Sequence, residues 1–134
     1  MNHESRIMNF YGVISFIMLV AIDQLSKYLI RHFGGFYICN PNISWSVAIP
    51  SYVFWVFWAL LVVFLLVAMK NKYFVHNTLY IILILAGAVA NLIDRFAYGC
   101  VVDFIDLKFW PVFNLADIFI VSGAVFLLVR WKKI

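Results

Sequence analysis

Long apolar runs constrain this chain more than any other feature of its sequence. Residues 51–69 contain no charged side chain, and residues 7–30 contain none before Asp23. Two further runs cover residues 78–95 and 114–131. A helix needs about 20 apolar residues to cross the hydrocarbon core of a bilayer. We therefore predict an all-α membrane protein with four transmembrane helices.

The composition supports this prediction and sets its limits. Of the 134 residues, 66% are hydrophobic and 12% are charged, whereas a soluble domain is about half apolar and about a quarter charged. The length fits a single integral membrane domain over residues 1–134. The net charge of +4 does not indicate a nucleic-acid partner, because such an excess in a membrane protein mostly reflects its topology.

Positive charges orient the predicted helices. With four spans, the lysines and arginines on the side of the chain termini are Arg6, Lys70, Lys72, Arg130, Lys132 and Lys133. Those on the opposite side are Lys27, Arg31, Arg95 and Lys108. Positive charge concentrates in cytoplasmic segments, so we expect both termini in the cytoplasm and residues 31–50 and 96–113 outside it.

In this topology, most carboxylates meet at the outer membrane boundary. Five of the six acidic residues lie at the ends of apolar runs on that side: Asp23, Asp94, Asp103, Asp106 and Asp117. Ionisable groups at membrane depth are costly, and they usually face a protein interior or a watery cavity. Their concentration at one boundary therefore predicts a functional site.

Two of these acids form a candidate catalytic pair. Asn114 and Asp117 are three residues apart, so they lie on one helix face, although an N-cap with a first-turn acid would give the same pattern. Asp103 lies between apolar neighbours in VVDF, a setting that raises a carboxyl pKa. Two neighbouring acids that share one proton supply both a base and an acid.

The other acids admit structural interpretations. Asn91 and Asp94 are also three residues apart, and Arg95 follows directly. A structural role, in which Asp94 and Arg95 anchor the outer loops, is at least as plausible as a catalytic one. We expect Arg95 to hold the end of its span against those loops. Asp23 and Lys27 form an i, i+4 pair that we interpret as scaffold, and Asp106 with Lys108 fits a solvated loop face.

The outer loops predict a small β-rich region. Residues 36–39 and 45–49 are β-prone and flank the turn signal at residues 40–42, and such a hairpin would need support from residues 96–113. Cys39 and Cys100 both fall on the outer side, where a disulfide is possible. Two isolated cysteines make no framework, so we favour unpaired thiols and expect no metal site.

Several motifs together resemble the lipoprotein signal peptidase (signal peptidase II) family, a family of membrane aspartyl peptidases. They are DQLSK at residues 23–27, NPNISW at 40–45, GAVANLIDR at 87–95, VDF at 102–104 and FNLAD at 113–117. The resemblance implies that Asp103 and Asp117 are catalytic. It also implies that the remaining motif residues bind substrate or brace the site, namely Asp23, Lys27, Asn40, Asn91, Asp94, Arg95 and Asn114.

The same resemblance implies the reaction. It predicts an endopeptidase that removes the signal peptide of a diacylglyceryl-modified bacterial prolipoprotein just before the lipidated cysteine. The partners would be that substrate and membrane lipid, the enzyme would be a monomer, and no cofactor or metal is implied. Four positions depart from the family pattern: Asn42, Ser44, Trp45 and Ala90. We expect them to affect substrate preference more than catalysis.

Two other functions fit a bundle with intramembrane acids. A small transporter or proton conductor would have acids distributed through the membrane depth, whereas here they lie at one boundary. A structural subunit that only binds lipid or a partner would leave Asp103 and Asp117 without a purpose.

Overall fold

The fold has three long helices and a two-stranded sheet within the residues that can be described. The computed structural model describes residues 3–41 (side chains from residue 10 onward), 53, 56, 58–63, 67 and 78–131. In chain order, the elements are α1 (His3–Phe33), β1 (Ile38–Asn40), α2 (Thr78–Tyr98), β2 (Val101–Asp103) and α3 (Leu115–Trp131). Residues 58–63 are also helical.

Two of these helices are long and apolar enough to cross a membrane. They are the Phe10–Phe33 part of α1 and the whole of α2, judged by length and composition. Helix α3 is similarly apolar but has 17 residues, and the run at 51–69 lies mostly outside the described residues. Four spans therefore stay a prediction, although α1, α2 and α3 each begin and end within a few residues of a predicted run.

Many large apolar side chains are exposed, and several polar ones are buried. Large apolar residues of α1 face outward, and Phe10, Ile17 and Leu25 are each more than half exposed. Apolar residues such as Ile81 and Ile84 form a small buried core. Seven polar or charged side chains are buried as well: Asp23, Lys27, Asn40, Asn91, Asp94, Asp103 and Asn114. Lipid can cover an apolar exterior, whereas buried polar groups must find partners within the protein.

Helix α2 is central and packs against both α1 and α3. Its contact with α3 is close because glycines lie where the backbones meet. A Cβ on Gly87 would collide with the carbonyl oxygen of Ala116, and one on Gly123 would lie 2.6 Å from the carbonyl oxygen of Tyr80. Small residues allow this approach between membrane helices.

The sheet joins the two outer segments. Strands β1 and β2 are antiparallel, with Ile38 opposite Asp103 and Asn40 opposite Val101. Gly99 ends α2 in a left-handed conformation (φ 73°) and donates its N–H to the Arg95 carbonyl at 3.0 Å, which turns the chain into β2.

The hairpin predicted from residues 36–49 was wrong at its turn. Asn40 lies in a strand rather than in a turn, because β1 pairs with the segment after α2. The support expected from residues 96–113 is therefore present. The proposed second strand at 45–49 lies outside the described residues.

Candidate active site

The start of α3 is fixed by a reciprocal cap. The Asp117 N–H donates to Asn114 Oδ1 at 3.0 Å, and the Asn114 N–H donates to Asp117 Oδ2 at 3.3 Å. This arrangement satisfies two N–H groups that a helix start would otherwise leave without partners. The capping interpretation of the Asn-x-x-Asp spacing is therefore present in the structure, and it fixes the position of the Asp117 carboxylate.

The same asparagine also contacts Asp103. Asn114 Nδ2 lies 2.7 Å from Asp103 Oδ1 and 3.0 Å from Asn91 Oδ1, and it is fully buried. One residue thus bonds two carboxylates, Asp117 through its cap and Asp103 through its amide. The candidate acid pair is brought together by Asn114.

Asp103 is the last residue of β2, and its carboxyl group accepts a hydrogen bond from Asn40 in β1. Asn40 Nδ2 donates to Asp103 Oδ2 at 3.1 Å, and both side chains are buried. Burial raises the pKa of Asp103 from its usual 3.8 to about 6. The charge of Asp117 also raises this pKa, while the two asparagine amides and the charge of Lys27 lower it. The Asp103 carboxyl can therefore hold a proton far closer to neutral pH than an ordinary aspartate.

A buried lysine organises the opposite side of the site. Lys27 Nζ lies 2.7 Å from Asp23 Oδ2, 2.8 Å from Asp94 Oδ2 and 3.1 Å from Asn91 Oδ1. An ammonium has three N–H donors, so these three acceptors use all of them. Lys27 thereby links α1 to two positions on α2.

The Lys27 contact fixes the orientation of the Asn91 amide. Asn91 Oδ1 receives bonds from Lys27 and Asn114, so the NH₂ group must point the other way. It donates to Asp117 Oδ1 at 2.9 Å. A chain of contacts therefore runs from Lys27 through Asn91 to the Asp117 carboxylate.

The two lysine-bound acids also accept hydrogen bonds that hold the elements together. Asp23 Oδ1 accepts the Ala116 N–H at 2.8 Å, which joins α1 to the first turn of α3. Asp94 Oδ2 accepts the Val102 N–H at 3.1 Å, and Asp94 Oδ1 accepts a bond from Gln24 Nε2 at 2.8 Å. This geometry agrees with the scaffold interpretation of Asp23 and with Asp94 as an anchor for the outer segment.

An open cavity of about 490 Å³ borders the acid pair. Its polar lining consists of Asn40, Asn91, Arg95, Asp103, Asp117 and Ser122. Residues after β2, including Leu107, Phe109 and Trp110, form an apolar part of the lining that we did not predict from the sequence. The adjacent aromatic residues Phe109 and Trp110 were the available sequence signal.

Arg95 and Asp106 each contact a neighbour in their own segment of the chain. Arg95 Nη1 donates to the Asn91 carbonyl at 3.2 Å, within its own helix, and Arg95 lines the cavity. Its expected role against the outer loops stays a prediction. Asp106 pairs with Lys108 in an exposed loop, and hydrogen bonds from Lys108 lower its pKa, in agreement with a solvated face.

The two cysteines correct a prediction. Cys39 and Cys100 form a disulfide with their Cα atoms 5.4 Å apart, whereas we favoured unpaired thiols. The physical reason is the pairing of β1 with β2, which no cysteine spacing could reveal. Within the described residues, no group of three or more histidine, cysteine, aspartate or glutamate side chains could hold a metal ion.

Comparison with known proteins decides the family. The model of signal peptidase (SPase) II matches residues 15–132. A lipoprotein signal peptidase from Moorella thermoacetica is 39% identical over 83% of this chain and 85% of its own length. One from Syntrophomonas wolfei is 39% identical over 91% of each chain. This chain belongs to the signal peptidase II family.

Membership makes the chain an aspartic-type protease of a membrane enzyme family. The fold agrees with a solved structure described as a bacterial membrane enzyme, with a TM-score of 0.80, 25% identity, and coverage of 92% of this chain and 88% of that one. A second structure with the same description has a TM-score of 0.71 at 23% identity and covers 92% and 93%, which supports the fold alone.

The departures from the family pattern fall in two places. Ala90 is fully buried in α2, and its carbonyl accepts a bond from Gln24 Nε2 at 3.1 Å, so the structure accommodates the added methyl. Asn42, Ser44 and Trp45 lie outside the described residues.

Proposed function

We propose that this enzyme removes the signal peptide from diacylglyceryl-modified prolipoproteins, cutting before the lipidated cysteine, with Asp103 and Asp117 as the catalytic pair. The observation that carries the proposal is the double contact of Asn114 with both carboxylates at the edge of an open cavity. The names of the relatives as lipoprotein signal peptidases support the substrate class.

In the proposed mechanism, the two acids share one proton. Asp103 holds it, because burial favours its neutral form. Asp117 takes the role of the base at the α3 N-terminus, where the helix dipole favours an anion and Asn91 and the Asn114 N–H donate to it. The pair thus supplies one base and one acid from the side chains of the protein itself.

Hydrolysis then proceeds through a tetrahedral intermediate. Asp117 takes a proton from a water held between the acids, and the water oxygen attacks the scissile carbonyl carbon. The Asp103 proton stabilises the developing oxyanion. When the C–N bond breaks, the proton on Asp117 passes to the leaving amine, and the pair returns to its starting state with one proton.

The cavity suits a substrate that is partly peptide and partly lipid. Its polar lining includes the acid pair and Arg95, while Leu107, Phe109, Trp110 and Val121 present apolar side chains. Apolar walls with a few polar groups are typical of sites that bind apolar ligands in a fixed orientation. We propose that a monomer takes the prolipoprotein from the surrounding membrane lipid.

The location of the site follows from the proposed topology. As a single domain of four spans, with both termini in the cytoplasm, the chain would place β1, β2 and the start of α3 near the outer face of the bacterial cytoplasmic membrane. A prolipoprotein translocated through that membrane would present its cleavage region there.

The test uses a synthetic diacylated prolipopeptide and the purified protein in detergent micelles. Asp103→Asn and Asp117→Asn should each fold and bind the lipopeptide, but kcat should fall at least about 10³-fold, because each change removes the base or the shared proton. Mass spectrometry of the products reports both the rate and the bond cut.

Asp106→Asn is the matched control, since this acid lies on the same outer segment but bonds only Lys108 among its described contacts. It should keep near wild-type activity. Release of the signal peptide at a near wild-type rate by folded Asp103→Asn or Asp117→Asn would exclude the proposed pair.

A further inference from the structure

The sheet that carries Asp103 is too small to be stable by its backbone alone. Each strand has three residues, and an isolated two-stranded sheet is marginal in water. The position of Asp103 relative to Asn40 depends on this short ladder, because the two residues lie on opposite strands. Something further must keep β1 on β2.

A disulfide connects the two strands beside these residues. Cys39 lies in β1 directly before Asn40, and Cys100 lies directly before β2. The bond closes a loop between positions 61 residues apart, which limits how far the strands can separate in any state of the protein. Cys100 is buried and Cys39 is exposed, so a thiol reagent can approach from the Cys39 side.

We propose that the Cys39–Cys100 disulfide is a positioning element for the acid pair, which keeps the Asn40 amide on Asp103 and makes peptidase activity depend on its oxidised state. This inference rests on the proposed function, because it assumes that Asp103 acts in the reaction. It assigns to Cys39 and Cys100 no contact with the substrate or with the reacting water.

The electrostatics of Asp103 give this role a specific readout. Asp103 is influenced by the charges of Asp117 on α3, Lys27 on α1 and Arg95 on α2, and it accepts bonds from Asn40 and Asn114. Of these described contacts, opening the disulfide would release the one that Asn40 makes from β1. That bond favours the ionised carboxylate, so its loss raises the pKa of Asp103 and moves the alkaline limb of the activity profile to higher pH.

The chemistry of opening is a thiol–disulfide exchange with a dithiol. A thiolate of dithiothreitol attacks one cysteine sulfur, the S–S bond breaks, and the departing cysteine sulfur takes the electron pair and a proton. The second thiol of the reagent then displaces the first cysteine, so the reagent is oxidised to its cyclic disulfide and the protein is reduced to two thiols.

The experiment compares four full-length proteins: wild type, Cys39→Ser/Cys100→Ser, Asn40→Ala and the triple variant. Peptide mapping without reductant first establishes the bond in the wild type, and its absence would overturn the proposal. We expect kcat/KM to fall about two- to tenfold in the cysteine variant, the range for one hydrogen bond to a neutral group such as protonated Asp103. The alkaline limb should shift upward as in Asn40→Ala, and the two effects should not add in the triple variant.

Reduction of the wild type with dithiothreitol gives an independent measurement when the cysteine variant does not fold. The fraction reduced should match the fraction of activity lost, and reoxidation should restore it. Unchanged activity with an unshifted alkaline limb would overturn the proposal. Unfolding of both the cysteine variant and the reduced wild type would also overturn it, because the disulfide would then stabilise the whole fold. Asp103→Asn assayed in parallel separates these outcomes, because activity in that variant contradicts the proposed function itself.

Discussion

At the residue scale, Lys27 is the most demanding feature of the site. It is 2% exposed and contacts two carboxylates that are themselves fully buried. Burying a charge is costly unless it is paired, and removing one partner leaves the others uncompensated. The three short contacts of its ammonium are what make a buried cluster of Asp23, Asp94 and Lys27 tolerable.

Lys27→Met should therefore destabilise the protein by about 3–5 kcal/mol, because it keeps the stem but leaves two buried acids without a cation. It should also lower kcat, since Asn91 would lose the bond that orients its amide toward Asp117. Denaturant unfolding in detergent and the lipopeptide assay measure the two effects. Lys108→Met is the control, since Lys108 is 85% exposed and its pair contributes little; an equal loss in both variants would contradict this role.

The pH dependence of stability follows from Asp103. Its pKa is raised to about 6 in the folded protein, above its value in an unfolded chain, so the folded state binds more protons between about pH 4 and pH 6. The free energy of unfolding should therefore decrease as the pH rises through this window. Asp103→Asn should remove that decrease in denaturant titrations, whereas Asp106→Asn should retain it. A wild-type slope in folded Asp103→Asn would assign the effect to another group.

The candidate site residues could be named from the sequence because each motif combines a spacing with a chemical demand. Asn114 and Asp117 could be placed on one helix face from their separation alone, and the structure adds that they cap each other. The apolar lining at Phe109 and Trp110 could not be predicted, because it depends on how the segment after β2 folds back. That path is set by the bonds between residues 104–105 and Phe113, which have no local sequence signature.

At the element scale, the contact between α2 and α3 decides where the acid pair lies. Gly87 meets the Ala116 backbone one residue before Asp117, and Gly123 meets the Tyr80 backbone farther along the same pair of helices. Any added side chain must move one helix, because the opposing atoms are backbone. The apolar runs predicted these helices well, whereas the pairing of β1 with β2 depended on contacts distant in sequence.

Gly87→Ala should lower stability by roughly 1–3 kcal/mol and should also lower activity, since it displaces the first turn of α3. Gly123→Ala should cost similar stability but less activity, because it acts away from Asp117. Gly12→Ala is the control: among the described residues, its Cβ would meet the flexible Ile82 Cδ1 at 3.1 Å and no backbone atom. Thermal unfolding and the lipopeptide assay distinguish the three, and equal activity in Gly87→Ala and wild type would contradict the argument.

At the scale of the whole molecule, many large apolar side chains are exposed and several charged ones are buried. Four charged groups, Asp23, Lys27, Asp94 and Asp103, are buried, and the exposed surface of α1 and α3 is dominated by apolar side chains. Such a surface is compatible with lipid and not with water over so large an area. We expect the orientation across the membrane to follow the distribution of positive charge.

The topology predicts opposite accessibility for two engineered cysteines on a background with Cys39 and Cys100 replaced by serine. A cysteine at Asn71 should not react with a membrane-impermeant maleimide in intact cells, because the positive-inside rule places Lys70 and Lys72 in the cytoplasm. A cysteine at Phe109 should react, because Phe109 is 83% exposed and lies on the outer segment. Both should react after the membrane is permeabilised, which controls for burial. Efficient labelling at position 71 in intact cells would reverse the orientation and place the acid pair on the cytoplasmic side, where a translocated prolipoprotein could not reach it.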